Sequence, residues 1–326
     1  MTNKFLHTAS IFKISSNSEF KELAMEVFRF QYDNNKVYKT FCDLLKTDVN
    51  KIKNIKDIPF LPISFFKTHK VYCGDEQADI KFNSSGTTGM VTSTHFVKDI
   101  SIYEQSFKQT FEIFYGNIKD YIVLGLLPSY LEREGSSLIY MVDSFIKQSN
   151  HKNSGFFLNE FDKIERIIAK NEKNILLIGV SYALLDFLEQ NHPNIANCIV
   201  METGGMKGKR KEIPKLQLHQ ILKEGFNVNS IHSEYGMTEL LSQAYALKDG
   251  KFVTPPWMRV LSRDINDPFT YTPKGKTGGL NIIDLANVYS CAFIATQDLG
   301  KVYDDYFEVL GRFDNSDIRG CNLLVQ

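Results

Sequence analysis

The chain has few cysteines, and none lie close together. Cys42, Cys73, Cys198, Cys291 and Cys321 form no CxxC pair, which argues against a zinc ribbon or a thioredoxin-type site. A sparse, odd-numbered set suits a reducing compartment. Neither sign of charge is in excess. The 38 basic and 38 acidic residues balance, so no overall field draws the chain to nucleic acid or to an anionic membrane. Long hydrophobic runs are missing too. The longest, residues 175–188, is too short to span a bilayer and is interrupted by Asp186. Residues 1–10 lack the apolar core of a signal peptide. There is no internal repeat and no low-complexity segment. These absences lead us to expect a cytoplasmic protein with no membrane span and no nucleic-acid partner. One basic cluster, Lys207, Lys209, Arg210, Lys211 and Lys215, contains no aromatic residue on which a base could stack, so it reads as a solvated loop.

What is present is a large apolar fraction, 43% over 326 residues. That is enough for one large or two ordinary domains. Residues 18–48 repeat apolar side chains at helical spacing. Pro59 and Pro62 then interrupt an apolar run, which predicts an extended connector. Beyond it, strand and helix patterns alternate. Strands are predicted at 121–127, 174–179 and 198–201. Helices are predicted at 135–147, 161–170, from Tyr182, and at 216–223, the last stopped by Gly225. Such alternation predicts an α/β fold with a largely parallel sheet, in which ligands bind beyond the carboxyl ends of strands. After about residue 250 the texture becomes turn-rich. Strand candidates at 280–283 and 289–295 there suggest a small β-rich subdomain.

Four short segments carry the chemistry. Ser84, Ser85, Gly86, Thr87, Thr88 and Gly89 are small, hydroxylated or glycine. Their backbone can approach a ligand closely and their hydroxyls can bond phosphate oxygens. The same run also suits an ordinary surface turn. In the second segment, Tyr235, Gly236, Met237, Thr238 and Glu239, the Glu239 carboxylate can hold Mg²⁺ beside phosphates. Thr238 can bond a phosphate, and Tyr235 can stack on a base. A capped turn entering a helix is the alternative. In Thr296-Gln297-Asp298-Leu299-Gly300, Asp298 can accept both hydroxyls of a ribose, or simply sit in a turn. In Gly311-Arg312-Phe313-Asp314, Arg312 can add a charge-assisted contact, or form a surface ion pair. The segment from Gly204 to Lys209 imitates a phosphate-binding P-loop, but its glycine spacing is wrong and Arg210 stands where Ser or Thr is required. His219 and His232 lack partners at ligand spacing and read as structural.

Taken in order, these segments resemble the adenylate-forming superfamily of acyl-CoA synthetases, adenylation domains and luciferases. Ser84–Gly89 is similar to its phosphate loop, and Tyr235–Glu239 to its adenine- and magnesium-binding segment. Asp298 is similar to its ribose-binding aspartate, Gly204 and Gly205 to the turn against the adenine, and Gly311–Gly320 to its hinge. The runs Ile58–His69 and Ile231–Leu240 resemble, more narrowly, the LuxE-type acyl-protein synthetases. The resemblance implies an adenylate-forming α/β large domain over residues 1–310, with flanked, largely parallel sheets and a β-rich subdomain at about 250–310. A hinge-like motif and short tail would follow at 311–326, the mobile C-terminal domain being essentially absent. It implies ATP and Mg²⁺ as cofactors and a carboxylic acid substrate of the fatty-acid kind. The acid would be activated to acyl-AMP and passed to a protein thiol, with a protein partner for acyl donation or reduction. Cys321, near the C-terminus, is the acceptor this resemblance implies, and Thr238 and Glu239 are the catalytic residues. The chain departs from the pattern where Met90, Val91 and Thr92 stand in place of a proline and lysine. A CoA ligase of the phenylacetate type and a non-catalytic nucleotide-binding subunit are the alternatives.

Overall fold

A computed structural model describes residues 5, 7–84, 91–128, 135–170, 174–191, 195, 198–206, 210–211 and 213–313. The first elements are helical: α1 (Thr8–Ile11), α2 (Asn17–Asn34) and α3 (Lys36–Leu44). The apolar periodicity over residues 18–48 is continuous, yet the chain breaks at Asn35. Asn35 is extended, and its side chain caps α3 by accepting from the Tyr38 amide. Its own amide group donates to Ser290 O at 2.8 Å. The break therefore serves a contact 255 residues away in sequence, which no local pattern records. Upstream, Ser16 and Glu19 form a capping box at the start of α2.

The proline connector is extended, as expected. It yields only β1 (Leu61–Pro62), followed by α4 (Phe65–Thr68). Pro62 is tolerated because β1 pairs with one neighbour alone. β2 (Ile80–Asn83) and β3 (Thr94–Val97) then form an antiparallel pair, and α5 (Ile100–Tyr115) follows.

The middle of the chain alternates as the sequence predicts: β4 (Tyr121–Leu126), α6 (Ser137–Ser149), β5 (Gly155–Phe156), α7 (Phe161–Ala169), β6 (Asn174–Val180), α8 (Ser181–Asn191), β7 (Cys198–Thr203), α9 (Lys215–Phe226), β8 (His232–Tyr235) and β9 (Ala244–Ala246). Three of these strands, β5, β8 and β9, are additional to the predicted ones. The sheet order is β5-β4-β6-β7-β8-β9, with β9 alone antiparallel to its neighbour. β4 and β6 are buried almost end to end, which is why they read as unbroken apolar runs rather than alternating ones.

One terminator behaves differently from its prediction. α9 runs through Gly225 and ends at Phe226, with Asn227 in the left-handed conformation at φ 54°. Gly225 marks a close helix crossing instead of a stop. A Cβ there would lie 2.6 Å from Leu188 Cδ1 on α8.

The last sheet contains β10 (Met258–Arg263), β11 (Thr277–Asp284), β12 (Phe293–Val302) and β13 (Phe307–Arg312), mostly antiparallel. β11 occupies one edge of β12; β1, in parallel, and β13 share the other. The predicted strand at 289–295 starts later and runs much further. Thr296 to Gly300 lie inside β12, so Asp298 is a strand residue rather than a turn residue. The register slips at Leu299 and Gly300. A Cβ at Gly300 would sit 2.2 Å from Glu308 O, so only glycine lets β13 approach there. Among the described residues no helix is long and apolar enough to cross a membrane.

Candidate active site

The carboxyl ends of β7 and β8 lie side by side, with Thr203 paired to Glu234. The Thr203 hydroxyl donates to the buried Glu234 carboxylate. This bond ties the turn after β7 to the turn after β8. Gly204 takes φ 66°, and both Gly204 and Gly205 are exposed. Gly236 is exposed too, and a Cβ there would meet Glu234 Oε1 at 2.5 Å. The two glycine turns thus present bare backbone at one end of the parallel sheet.

Tyr235, the last residue of β8, reaches across to the other sheet. Its hydroxyl donates to Asp298 Oδ2 at 2.8 Å. Its ring is buried against Phe252 and Phe307, with centroids 5.7 and 5.4 Å away. Arg312 Nε donates to the second Asp298 oxygen at 3.2 Å. The guanidinium is mostly exposed and the carboxylate buried. Asp298 therefore has a fixed orientation, yet a carboxylate keeps lone pairs beyond these two bonds. Arg263, which no sequence motif singles out, holds β12 in place. It donates to Leu280 O, Asn281 Oδ1 and Thr296 O at 2.6–2.8 Å.

Glu239 is buried. Burial pushes its carboxyl above the ordinary range, opposed by a bond from Ser93 and by the charges of Arg312 and Lys67. Thr238 is half-buried, and no helix follows it. Ser93, His95 and Asn287 are buried around this dipeptide. His95 Nδ1 lies 2.8 Å from Thr238 O, and Asn287 Nδ2 donates to Glu239 O at 2.8 Å. No sequence signal points to these three, since they lie far from residue 238 in the chain. Ser84 sits at the base of its segment. Ser84 N donates to Ser93 O at 3.0 Å and Ser93 N to Ser84 Oγ at 2.8 Å. The remaining members of that segment, Ser85, Gly86, Thr87, Thr88 and Gly89, lie outside the described residues, as does Cys321.

Beneath the glycine turns lies a buried ionic cluster. Glu202, fully buried on β7, accepts from the Lys215 ammonium and contacts His219 Nε2 at 3.3 Å. Ser181 Oγ bridges Glu202 and Gly204 O. Lys215 and Arg210 of the basic cluster are thus paired, Arg210 with Asp186 and Glu189. Burial pushes the Glu202 carboxyl up, but the Lys215 charge and bonds from His219, Lys215 and Ser233 outweigh it and hold it at about 2, against an ordinary 4.5. A depressed carboxyl contributes stability above pH 4.5 and loses it as pH falls towards 2. That contribution is about 3 kcal/mol. We expect Glu202→Gln to flatten the fall in urea midpoint between pH 5 and 2.5. A variant whose acid sensitivity matches the parent protein would refute this.

The profile of the family described as acyl-protein synthetase, LuxE, matches residues 6–113. The long-chain-fatty-acid–luciferin-component ligase of Vibrio harveyi is 24% identical over 332 residues, covering 92% of this chain and 85% of that protein. Its counterpart in Photorhabdus luminescens is 37% identical over 71 residues, 22% of this chain and 60% of that one. In fold, the chain is similar to ATP-bound MatB from Rhodopseudomonas palustris, with TM-score 0.55 and 18% identity over 73% of this chain. It spans about half of that protein, 49%. An open conformation of 2-hydroxyisobutyryl-CoA ligase, in complex with 2-HIB-AMP and CoA, superposes with TM-score 0.70 at 9% identity, over 92% of this chain and 70% of that one. The chain is therefore similar in sequence to the LuxE acyl-protein synthetases and shares its fold with the adenylate-forming ligases.

Proposed function

We propose that this chain activates a carboxylic acid of the fatty-acid class with ATP and transfers the acyl group to a protein thiol. The observation that carries the proposal is the junction of Tyr235, Asp298 and Arg312, which fixes the orientation of one buried carboxylate. Asp298 would accept the ribose hydroxyls on its remaining lone pairs. The backbone at Gly204, Gly205 and Gly236 would lie against the base. Ser84 to Gly89, with Thr238, would bond the phosphates. Tyr235 itself would act through Asp298, since its ring is covered by two phenylalanines.

Among the described residues no group of three His, Cys, Asp or Glu side chains could cage a metal. One carboxylate, Glu239, suits Mg²⁺, which takes its other ligands from phosphate oxygens and water. Mg²⁺ so held would neutralise charge on the phosphates. The acid's carboxylate oxygen would attack the α-phosphorus and expel pyrophosphate, leaving acyl-AMP. In-line positioning and charge neutralisation supply the rate. A thiolate would then attack the acyl carbonyl and expel AMP, having given its proton to solvent. Glu239→Gln keeps the shape and an acceptor for Ser93. We expect it to raise the Mg²⁺ needed for half-maximal pyrophosphate exchange at least about tenfold. An unchanged Mg²⁺ requirement would remove Glu239 from the site.

The four cysteines among the described residues are all buried. Burial pushes the thiols of Cys42 and Cys198 up to about 12 and raises those of Cys73 and Cys291 as well. Such thiols are poor nucleophiles, which leaves Cys321 as our proposed acceptor. These free thiols also support a reducing, cytoplasmic setting. The test is intact-protein mass spectrometry after incubation with Mg·ATP and a panel of fatty and aromatic acids, without CoA. A hydroxylamine-labile adduct on Cys321 is expected. Acid-dependent pyrophosphate release without any adduct would move the acceptor to CoA or to a partner protein. Neither product with any acid would defeat the enzymatic reading in favour of a nucleotide-binding subunit.

A further inference from the structure

Ser93 immediately precedes β3 and His95 lies two residues on within it, and both are buried. Alternate residues of an extended chain share a face. From that face they meet Thr238 and Glu239. The Ser93 hydroxyl bonds the Glu239 carboxylate. His95 Nδ1 faces Thr238 O at 2.8 Å, and His95 Nε2 faces Asn287 Oδ1 at 3.0 Å. Asn287 Nδ2 donates to both Glu239 O and Cys291 O, at 2.8 and 2.9 Å. Two carbonyls demand the NH₂ end of that amide, so the orientation of Asn287 is fixed and its oxygen must face His95. The carboxylate and the peptide oxygen of Glu239 are thus bonded by Ser93 and Asn287, and the peptide oxygen of Thr238 faces His95. The same Ser93 is bonded through its backbone to Ser84, at the base of the Ser/Thr/Gly segment.

We propose that Ser93, His95 and Asn287 are positioning residues that couple Ser84 to Thr238 and Glu239, with His95 as the pivot. The proposal rests on the adenylation reading above. Phosphate contacts from one segment and Mg²⁺ contacts from the other must converge on one polyphosphate, and misplacement by about an ångström costs roughly 10²-fold. A rigid link through β3 would keep the two in register. Phe66 packs edge-on against the His95 ring at 5.7 Å and leaves the imidazole little freedom to move. Burial also pushes His95 down to about 4, so the ring is neutral at physiological pH. A neutral ring has one N–H for its two facing oxygens. A glutamine amide, with a single NH₂ end, can reproduce that donation.

The test compares His95→Ala, His95→Gln and a control, His232→Ala, which alters a partly buried histidine away from these contacts. Three quantities are read: Mg·ATP binding by calorimetry, kinetics of pyrophosphate exchange, and hydrogen exchange by mass spectrometry. In His95→Ala we expect the KM for Mg·ATP to rise at least about tenfold while the KM for the acid changes less than about twofold. Exchange should rise selectively in peptides covering residues 236–241 and in those covering Ser84 and Ser93. His95→Gln should recover most of the loss. Equal losses in His95→Ala and His232→Ala, or raised exchange spread over the whole fold, would reduce His95 to a core residue and overturn the proposal. Unchanged kinetics with unchanged exchange would overturn it as well. If the unaltered protein binds no Mg·ATP, the adenylation reading fails, and the positioning role fails with it even where the exchange pattern is as expected.

Discussion

Asp298→Ala is expected to weaken ATP binding by about two to four orders of magnitude. A hydrogen bond to a charged group contributes about 1.5–3 kcal/mol, and two ribose hydroxyls would lose theirs together. Each 1.4 kcal/mol is about a factor of ten. The substitution also leaves the Tyr235 hydroxyl buried without its acceptor and frees Arg312. Part of the loss could therefore come from a disturbed scaffold. Tyr235→Phe separates the two contributions, because it removes the bond to Asp298 and keeps both the carboxylate and the ring packing against Phe252 and Phe307. We expect Tyr235→Phe to lose less than about tenfold in ATP affinity. Calorimetric titration with ATP, beside a thermal melt of each variant, makes the comparison. If Asp298→Ala binds ATP as the unaltered protein does, Asp298 has no part in nucleotide recognition.

The second large effect concerns stability. Asp284 is fully buried at the end of β11. Its carboxylate accepts from Leu241 N, Ser242 N, Ser242 Oγ and Ala286 N, at 2.5–3.2 Å. Burial pushes this carboxyl up against those bonds. The Ser242 hydroxyl also accepts from Trp257 Nε1 at 3.0 Å, so the network reaches into the core. Asp284→Ala would strand three buried N–H groups. At about 1–3 kcal/mol each, the expected loss is at least about 3 kcal/mol. It should appear as a large fall in the urea midpoint with little change in slope. Asp284→Asn, which keeps one acceptor oxygen, should fall less. Because residues 240–242 follow Glu239 directly, Asp284→Ala should also raise hydrogen exchange across that loop. An unfolding free energy within about 0.5 kcal/mol of the parent protein would mean that water takes over these donors, and that the loop is not held by Asp284.

Much of this molecule was legible in the residues alone. β4 and β6 declare themselves as apolar runs because both faces of the parallel sheet are covered, a condition local composition records. The glycine turns at Gly204 and Gly236 and the order of the four segments could be read without coordinates, because tight turns and exposed backbone demand particular residues at particular places. Other features are invisible in sequence for a physical reason. Tyr235 and Asp298 stand 63 residues apart, and His95 and Thr238 stand 143 apart. Such pairs form only when two sheets come together, and no periodicity encodes which side chains then face each other. Gly225 shows the same limit from the other side. Its sequence context matches a helix stop, yet the crossing of α8 over α9 requires a missing Cβ. Local chemistry determined which elements form and which residues can do chemistry. The tertiary structure alone decided which of those residues meet.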